Sequence, residues 1–278
     1  MRVIETVADM RAARRELTGK VVLVATLGGM HAGHEAHLST ARDIGGTVVG
    51  SLFLNPTQFG ASEDLGRYPH DRQKDLAVFE KHGTAVVFAP PVAEMYPPGD
   101  TTTVDPGPIG SVLEGAHRPG HFKGVATVVT KIFAIIRPDA ATFGEKDAQQ
   151  LRIIRKLNRE LGFGIEIVPI PTVREPDGLA CSSRNAYLGS AERRAAPVLY
   201  QALCGAKRAW DDGERGTDTL RQAVAAVLSS EPLVAPDYVS AADPDTLVEL
   251  QGSRPGAVLV SLAARIGSTR LIDNILLS

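Results

Sequence analysis

Cysteine is scarce in this 278-residue chain: only Cys181 and Cys204 occur. Their spacing matches no common metal or redox motif and two thiols make no disulfide framework, so the usage fits a reducing compartment and a cytoplasmic location. Neither thiol is expected to be a nucleophile. Long apolar runs are missing as well. Residues 1–6 lack the apolar stretch of a signal peptide. No segment approaches the ~20 apolar residues a spanning helix needs, and the longest candidates are interrupted by Lys131 and Arg137. A surplus of either charge is absent too, the formal net charge being -2 from 30 basic and 32 acidic residues. That balance gives no reason to expect a nucleic-acid or membrane partner. The basic residues Arg137, Lys146, Arg152, Arg155, Lys156 and Arg159 cluster in sequence and read mostly as a solvated helix face, with room for a local phosphate pocket. No internal repeat or low-complexity tract is found. The glycines complete no dinucleotide fingerprint, and there is no G-x-x-x-x-G-K-[ST] loop, so any nucleotide is handled by another route.

What is present is an ordinary globular composition, 44% apolar and 22% charged, long enough for one large or two smaller domains. Valine-rich residues 21–25 predict a strand that runs into Gly28-Gly29 and then a helix from about Gly33 to Ile44. Residues 47–54 predict a second strand, 71–81 a helix, and 84–88 a third, buried strand. Proline and glycine make 90–110 an excursion of loops. Residues 122–136 predict a helix buried on much of its surface, stopped by Arg137-Pro138. A strand at 140–143, a helix at 147–161 and a strand at 165–170 follow. This alternation argues for an α/β fold with a doubly wound parallel sheet. Right-handed crossovers then put the loops carrying Gly28-Gly29, Asn55 and Gly144 along one edge. Beyond about 172 the pattern changes. Helices at 191–210 and 219–228, strands at 236–240 and 258–263, and a turn at Arg254-Pro255-Gly256 predict a smaller α+β domain. Its boundary falls between 170 and 190.

Three places carry candidate chemistry. His31-Ala32-Gly33-His34 puts two imidazoles at a helix start just beyond a strand, where unpaired backbone N–H groups stabilise phosphate charge; an ordinary capped helix start is the competing reading. His37, three residues further, raises a three-histidine metal site, which the glycine context disfavours. Gly144-Glu145-Lys146-Asp147 stands at a second strand-to-helix junction. There Lys146 can meet phosphates as a point charge, while Asp147 can equally cap the next helix. Cys181-Ser182-Ser183-Arg184-Asn185 offers hydroxyls and a guanidinium fork suited to phosphate oxygens, or to an interdomain salt bridge. Asn55 and Gln58 can bind an uncharged polar group, or simply build a turn.

Taken together and in order, the motifs TLGGMHAGH (26–34), LFLNPTQF (52–59), YPHD (68–71), RPGHFKGVATVV (118–129), FGEKDAQQL (143–151), PTVREPDGLACSSRNAYL (171–188) and TRLIDNI (269–275) resemble the pantothenate synthetase family over nearly the whole chain. H-x-G-H alone marks only a broad nucleotidyl-transfer class. The resemblance implies a Rossmann-like doubly wound parallel sheet, 1–172, holding ATP and pantoate, and a smaller C-terminal lid domain, 173–278. It implies ATP-dependent condensation of (R)-pantoate with β-alanine through a pantoyl-adenylate, with Mg2+ and as a cytoplasmic homodimer. By motif, His34 is the catalytic residue, with His31, Lys146 and Arg184 acting on phosphate charge. Leu27, Gly28, Gly29, Met30, Ala32 and Gly33 shape the nucleotide loop. Gly144, Glu145, Asp147 and Val173 bind ATP, and Cys181, Ser182, Ser183 and Arg184 form its mobile phosphate-binding segment. Gln58 and Gln150 hold pantoate, Gln58 also serves β-alanine, and Asp75 is the implied metal ligand. Against the family pattern, Ala25 and Leu27 replace proline and methionine, and Cys181 another methionine. Glu35 and His37 take apolar positions, which calls for a local partner or altered packing. Lys74 stands where an acidic residue often precedes Asp75, weakening the transfer of the Mg2+ role. The rival readings are a nucleotidyltransferase that keeps AMP in its product and a catalytically weak nucleotide-binding or assembly protein.

Overall fold

The computed structural model describes residues 1–61 and 63–278. The chain folds into two compact units. The first comprises Met1–Ser111, Gly115–Glu145 and Gln150–Pro171; the second comprises Val112–Glu114, Lys146–Gln149 and Thr172–Ser278. In chain order the elements are β1 (Arg2–Ile4), α1 (Val7–Glu16), β2 (Val21–Thr26), α2 (Ala32–Asp43), β3 (Thr47–Leu52), α3 (Arg72–Lys81), β4 (Val86–Phe88), α4 (Val92–Met95), α5 (Glu114–His117), α6 (His121–Ile136), β5 (Ala140–Gly144), α7 (Ala148–Glu160), β6 (Glu166–Ile170), α8 (Ser190–Ala195), α9 (Val198–Asp211), α10 (Thr217–Leu228), β7 (Val234–Ala242), β8 (Val258–Ile266) and β9 (Thr269–Leu277).

The first unit is built on a six-stranded sheet in the order β1-β4-β3-β2-β5-β6, and every neighbouring pair is parallel. Because side chains alternate across a strand, the continuous valine runs serve two cores at once. Val21 and Leu23 of β2, Val49, Val86 and Phe88 join Met10 and Ala13 of α1, the apolar side of α6, and Leu151 and Ile154 of α7. Val22, Val24, Val48 and Val87 pack on the opposite side with Leu38 and Ala41 of α2 and Phe79 of α3. A sheet covered on both faces is what the strand–helix alternation predicts. At Gly50 a Cβ would sit 2.5 Å from the Phe79 ring, so glycine here lets α3 lie against the sheet. Helix α6 ends at Arg137, whose left-handed backbone (φ 49) precedes Pro138.

The second unit has an antiparallel sheet, β7-β8-β9. Val258, Val260, Leu262 and Ala264 of β8 form its core with Leu199 and Leu203 of α9, Trp210, and Leu220 and Val224 of α10. Arg270 of β9 ties the segment Val112–Glu114 to this sheet, forking onto Glu114 at 2.6 and 2.8 Å and reaching Asp237 of β7 at 2.6 Å.

Several elements differ from the sequence reading. Strand β1 and helix α1 were not expected, because a three-residue strand is too short for a periodicity to show. The α1 signal was present: Thr6 caps the helix by accepting from the Asp9 N–H at 3.1 Å, and Met10 and Ala13 face inward. The single helix expected over 191–210 is two, α8 and α9, which part at Ala196-Pro197 because proline supplies no amide to continue the ladder. Strand β9 does not stand out by sequence period, since a buried aspartate, Asp273, sits among its inward-facing residues. Among the described residues no helix is long and apolar enough to cross a membrane.

Candidate active site

The chain passes from β2 to β3 on one side and later returns to place β5 on the other side of β2. The switch point of the parallel sheet therefore lies between β2 and β5, and the crevice beyond their C-terminal ends is where such sheets bind ligands. The turn Leu27–His31 leaves from β2, and Gly144-Glu145 closes β5. The turn after β3 brings Asn55 and Gln58 to the same edge, as the crossovers predict.

At the β2 turn, Gly28 and Gly29 take left-handed backbone (φ 104 and 66), which glycine adopts without strain. The Gly28 N–H donates to Thr26 Oγ1 at 3.1 Å. The N–H groups of Gly29 and Met30 donate to the two carboxylate oxygens of Asp75, at 3.1 and 2.9 Å. The His31 N–H donates to His34 Nδ1 at 3.2 Å, and the Gly33 N–H to His31 Nδ1 at 3.1 Å. The two histidines thus cap α2 reciprocally, with ring centroids 4.2 Å apart. Backbone N–H groups only donate, so both Nδ1 atoms are acceptors and each neutral ring carries its proton on Nε2. His34 Nε2 then donates to Thr26 Oγ1, 3.0 Å away. The expectation of unpaired amides here is not met at Gly28, Gly29, Met30, His31 or Gly33.

A second cluster shapes the turn after β3. Asn55 is fully buried. Its Nδ2 donates to Gln58 Oε1 (3.0 Å) and the Gly124 carbonyl (3.3 Å), and its Oδ1 accepts from Thr57 Oγ1 and Tyr96 Oη, both at 2.9 Å. With its oxygen so engaged, Gln58 presents its amide nitrogen as donor. His121 holds the same turn from α6 through Nδ1 and the Gln58 carbonyl, 2.8 Å apart, while Arg118 Nη1 meets His121 Nε2 at 3.1 Å. A guanidinium only donates and a carbonyl only accepts, so His121 carries its proton on Nδ1. Burial raises the Tyr96 phenol above its ordinary range, keeping it a neutral donor toward Asn55. Gly124 permits the approach of α6: a Cβ there would overlap the Thr57 carbonyl.

Both unusual residues on α2 have local partners. Glu35 pairs with Lys81 and His82 of the α3 end at 2.7 and 2.9 Å, and its pKa is lowered, mainly by the Lys81 hydrogen bond and then by His82. His37 Nδ1 lies 2.9 Å from Thr142 Oγ1 of β5, with Gly144 beside its Nε2. Gln150 is part of the first unit on α7 and is half-buried.

Lys146, Asp147, Val173, Cys181, Ser182, Ser183 and Arg184 belong to the second unit. Lys146 Nζ lies 3.7 Å from Asp147 Oδ1, and the Lys146 carbonyl accepts from Asn274 Nδ2 at 2.9 Å. The Val173 carbonyl accepts from the Cys181 N–H at 2.9 Å, closing a tight loop between them. Ser182 caps the following turn, its Oγ accepting from the Arg184 N–H at 3.3 Å. Asn185 Nδ2 braces the segment by donating to Glu175 Oε1 (2.9 Å) and the Ala180 carbonyl (3.1 Å). Arg174 forks onto the buried Asp273 at 2.6 and 3.0 Å. Residue type and spacing do not mark Thr26, His121, Asp273 or Asn274 as supporting residues. Each lies inside a quoted motif, but its partner is remote in sequence or set by ring tautomers, so residue type alone could not assign it.

The comparisons agree over the full length. The model of the family described as pantoate-beta-alanine ligase matches residues 2–276. The chain is 55% identical over 277 residues to a pantothenate synthetase of Roseiflexus castenholzii, covering 100% of this chain and 99% of that one. It is 48% identical to that of Herpetosiphon aurantiacus, with both chains covered at 100%. Among solved structures, the Thermus thermophilus pantothenate synthetase is 44% identical with a TM-score of 0.94, covering 99% of each chain. A Francisella tularensis pantoate-beta-alanine ligase, described as complexed with beta-gamma ATP and beta-alanine, is 31% identical with a TM-score of 0.82, covering 99% of this chain and 97% of that one. The chain belongs to the pantoate-beta-alanine ligase family.

Proposed function

We propose that this protein joins (R)-pantoate to β-alanine at the expense of ATP. The observation that carries the reading is family membership over the whole chain, with His31, His34 and Gln58 held at the C-terminal edge of the sheet beside its switch point. A pantoate carboxylate oxygen attacks the α-phosphorus, the bond from that phosphorus to the bridging oxygen breaks, and pyrophosphate leaves. The β-alanine amine then attacks the acyl carbon of pantoyl-adenylate and loses a proton. The acyl C–O bond breaks, releasing pantothenate and AMP. His31 and His34 stabilise charge developing on the phosphates, the main way such sites accelerate phosphoryl chemistry. Lys146 and Arg184 add positive charge to that task. Leu27, Gly28, Gly29, Met30, Ala32, Gly33, Gly144, Glu145, Asp147, Val173, Cys181, Ser182 and Ser183 shape the nucleotide's surroundings. Gln58 and Gln150 hold pantoate, and Gln58 the β-alanine as well. We place the protein in the cytoplasm as a homodimer, on the family resemblance.

Mg2+ would accompany the nucleotide in this reading and would supply positive charge to offset that of the phosphates. The residues present do not fit a cation held by the protein at Asp75. Both carboxylate oxygens already accept backbone N–H groups, Lys74 pairs with Asp71, and among the described residues no three His, Cys, Asp or Glu side chains converge.

With 18O in the pantoate carboxylate, one labelled oxygen is expected in AMP, read by mass spectrometry. Pantothenate formed without label in AMP would exclude the adenylate. A nucleotidyltransferase would instead retain AMP in its product and release only pyrophosphate.

A further inference from the structure

We infer that Asp75 is a positioning residue for the nucleotide turn, acting through backbone amides and not through a metal; the functional half of this inference rests on the ATP-ligase reading above. Asp75 stands in the first turn of α3, a helix capped by Asp71, whose Oδ1 accepts from the Gln73 and Lys74 N–H groups at 3.1 and 3.2 Å. The backbone is thereby fixed, and the Asp75 side chain, 3% exposed, is directed at the turn after β2. One carboxylate meets two consecutive amides, Gly29 with one oxygen and Met30 with the other. The contact is close enough that a Cβ on Gly28 would lie 2.9 Å from Asp75 Oδ2. A side chain at Gly28 would crowd the carboxylate and would strain a left-handed backbone (φ 104) that glycine adopts freely.

Two consecutive amides gathered on one anion are the arrangement that elsewhere holds a phosphate. Here the anion is supplied by the protein. The turn is therefore already organised before any nucleotide arrives, and the same hydrogen bonds set where His31 and His34 begin α2. The first consequence is pre-organisation: binding of ATP does not have to order the turn. The second concerns charge, because a carboxylate that accepts two amides has its negative charge satisfied without a cation. Lys74, turned to Asp71 at 3.2 Å and 84% exposed, contributes no acidic partner for one.

The test uses the full chain and the variant Asp75→Asn, checked for folding by circular dichroism. In metal-free buffer without nucleotide, the Gly29 and Met30 amides are expected to exchange hydrogen at least about tenfold faster in the variant, as loss of a charged acceptor implies. Titration of the nucleotide-free protein with Mn2+, followed by water-proton relaxation, is expected to be the same for wild type and variant. In turnover the KM for ATP is expected to rise at least about tenfold, with kcat changed less and the KM for β-alanine unchanged. Should Asp75→Asn fail to fold, Gly28→Ala displaces the turn from the other side and is expected to give the same exchange and KM changes. Unaltered exchange at Gly29 and Met30, or loss of a Mn2+ site on substitution, would overturn the inference. A wild-type protein that does not consume ATP with pantoate would sink the ligase reading alone, because exchange and Mn2+ binding are read without turnover.

Discussion

Thr26 ends β2 and its hydroxyl oxygen meets two groups at once, the Gly28 N–H and His34 Nε2. It sits where the glycine turn and the His34 imidazole are both oriented, although a threonine closing a valine-rich strand attracts no notice in sequence. Thr26→Val keeps the shape and removes the polar atom. The change leaves the Gly28 N–H without its acceptor, at about 1–3 kcal/mol, and releases the His34 ring. We expect kcat to fall at least about tenfold while the circular-dichroism spectrum stays native, with Thr26→Ser restoring most of the activity. Unchanged turnover in Thr26→Val would show that His34 is held by its cap alone. Glu35 and His37 illustrate the opposite situation. Their positions look anomalous in the linear sequence, yet Glu35 answers Lys81 and His82 across the α2–α3 surface and His37 answers Thr142. None of these three partners is within a helical turn in sequence, so the polar residues read as unexplained until the fold brings their partners up.

At the scale of elements, α6 and the turn after β3 are fitted to each other through a single missing side chain. Gly124 lets the helix lie against Thr57 and Gln58, and its carbonyl receives the Asn55 amide. Adding a methyl group would push the turn away from the helix, breaking the alignment of Asn55, Gln58 and His121 without touching the β2 turn. Gly124→Ala is thus expected to raise the KM for pantoate about tenfold or more and to leave the KM for ATP near its original value; steady-state kinetics separate the two. A uniform loss in both would mean that the substitution disturbs the whole sheet edge. The long, periodic elements were legible in advance: the valine runs of β2 and β3, the α6 helix, and the glycines and prolines that end them. Short β1, and the break between α8 and α9, depend on pairing and packing that periodicity does not carry.

Across the whole molecule, the buried charges of the second unit join segments far apart in the chain. Arg270 meets Glu114 and Asp237, and Arg174 meets Asp273. Glu114 is only 8% exposed in its side chain, so deleting Arg270 leaves a desolvated carboxylate without its cation, held by the Tyr238 hydroxyl. Removing one member of such a pair costs about 3–5 kcal/mol. Arg270→Ala is therefore expected to lower the stability of the second unit by that order. The only tryptophan, Trp210, lies buried in the core of this unit, so its fluorescence during urea unfolding reads the loss directly. A change below about 1 kcal/mol would show that Glu114 finds water or another donor.

Much of this protein follows from local chemistry alone. Strand and helix periods, with glycine and proline as stops, determine the parallel sheet, and the edge to which Gly28, Asn55 and Gly144 are delivered. The ordered motifs determine the family. Tertiary structure decided the rest, because hydrogen-bond direction and burial depend on partners that sequence spacing does not bring together. It turned two histidines three residues apart into a reciprocal cap with defined ring protons. It gave Glu35 and His37 their partners, and it aimed Asp75 at the amides of a glycine turn 46 and 45 residues away.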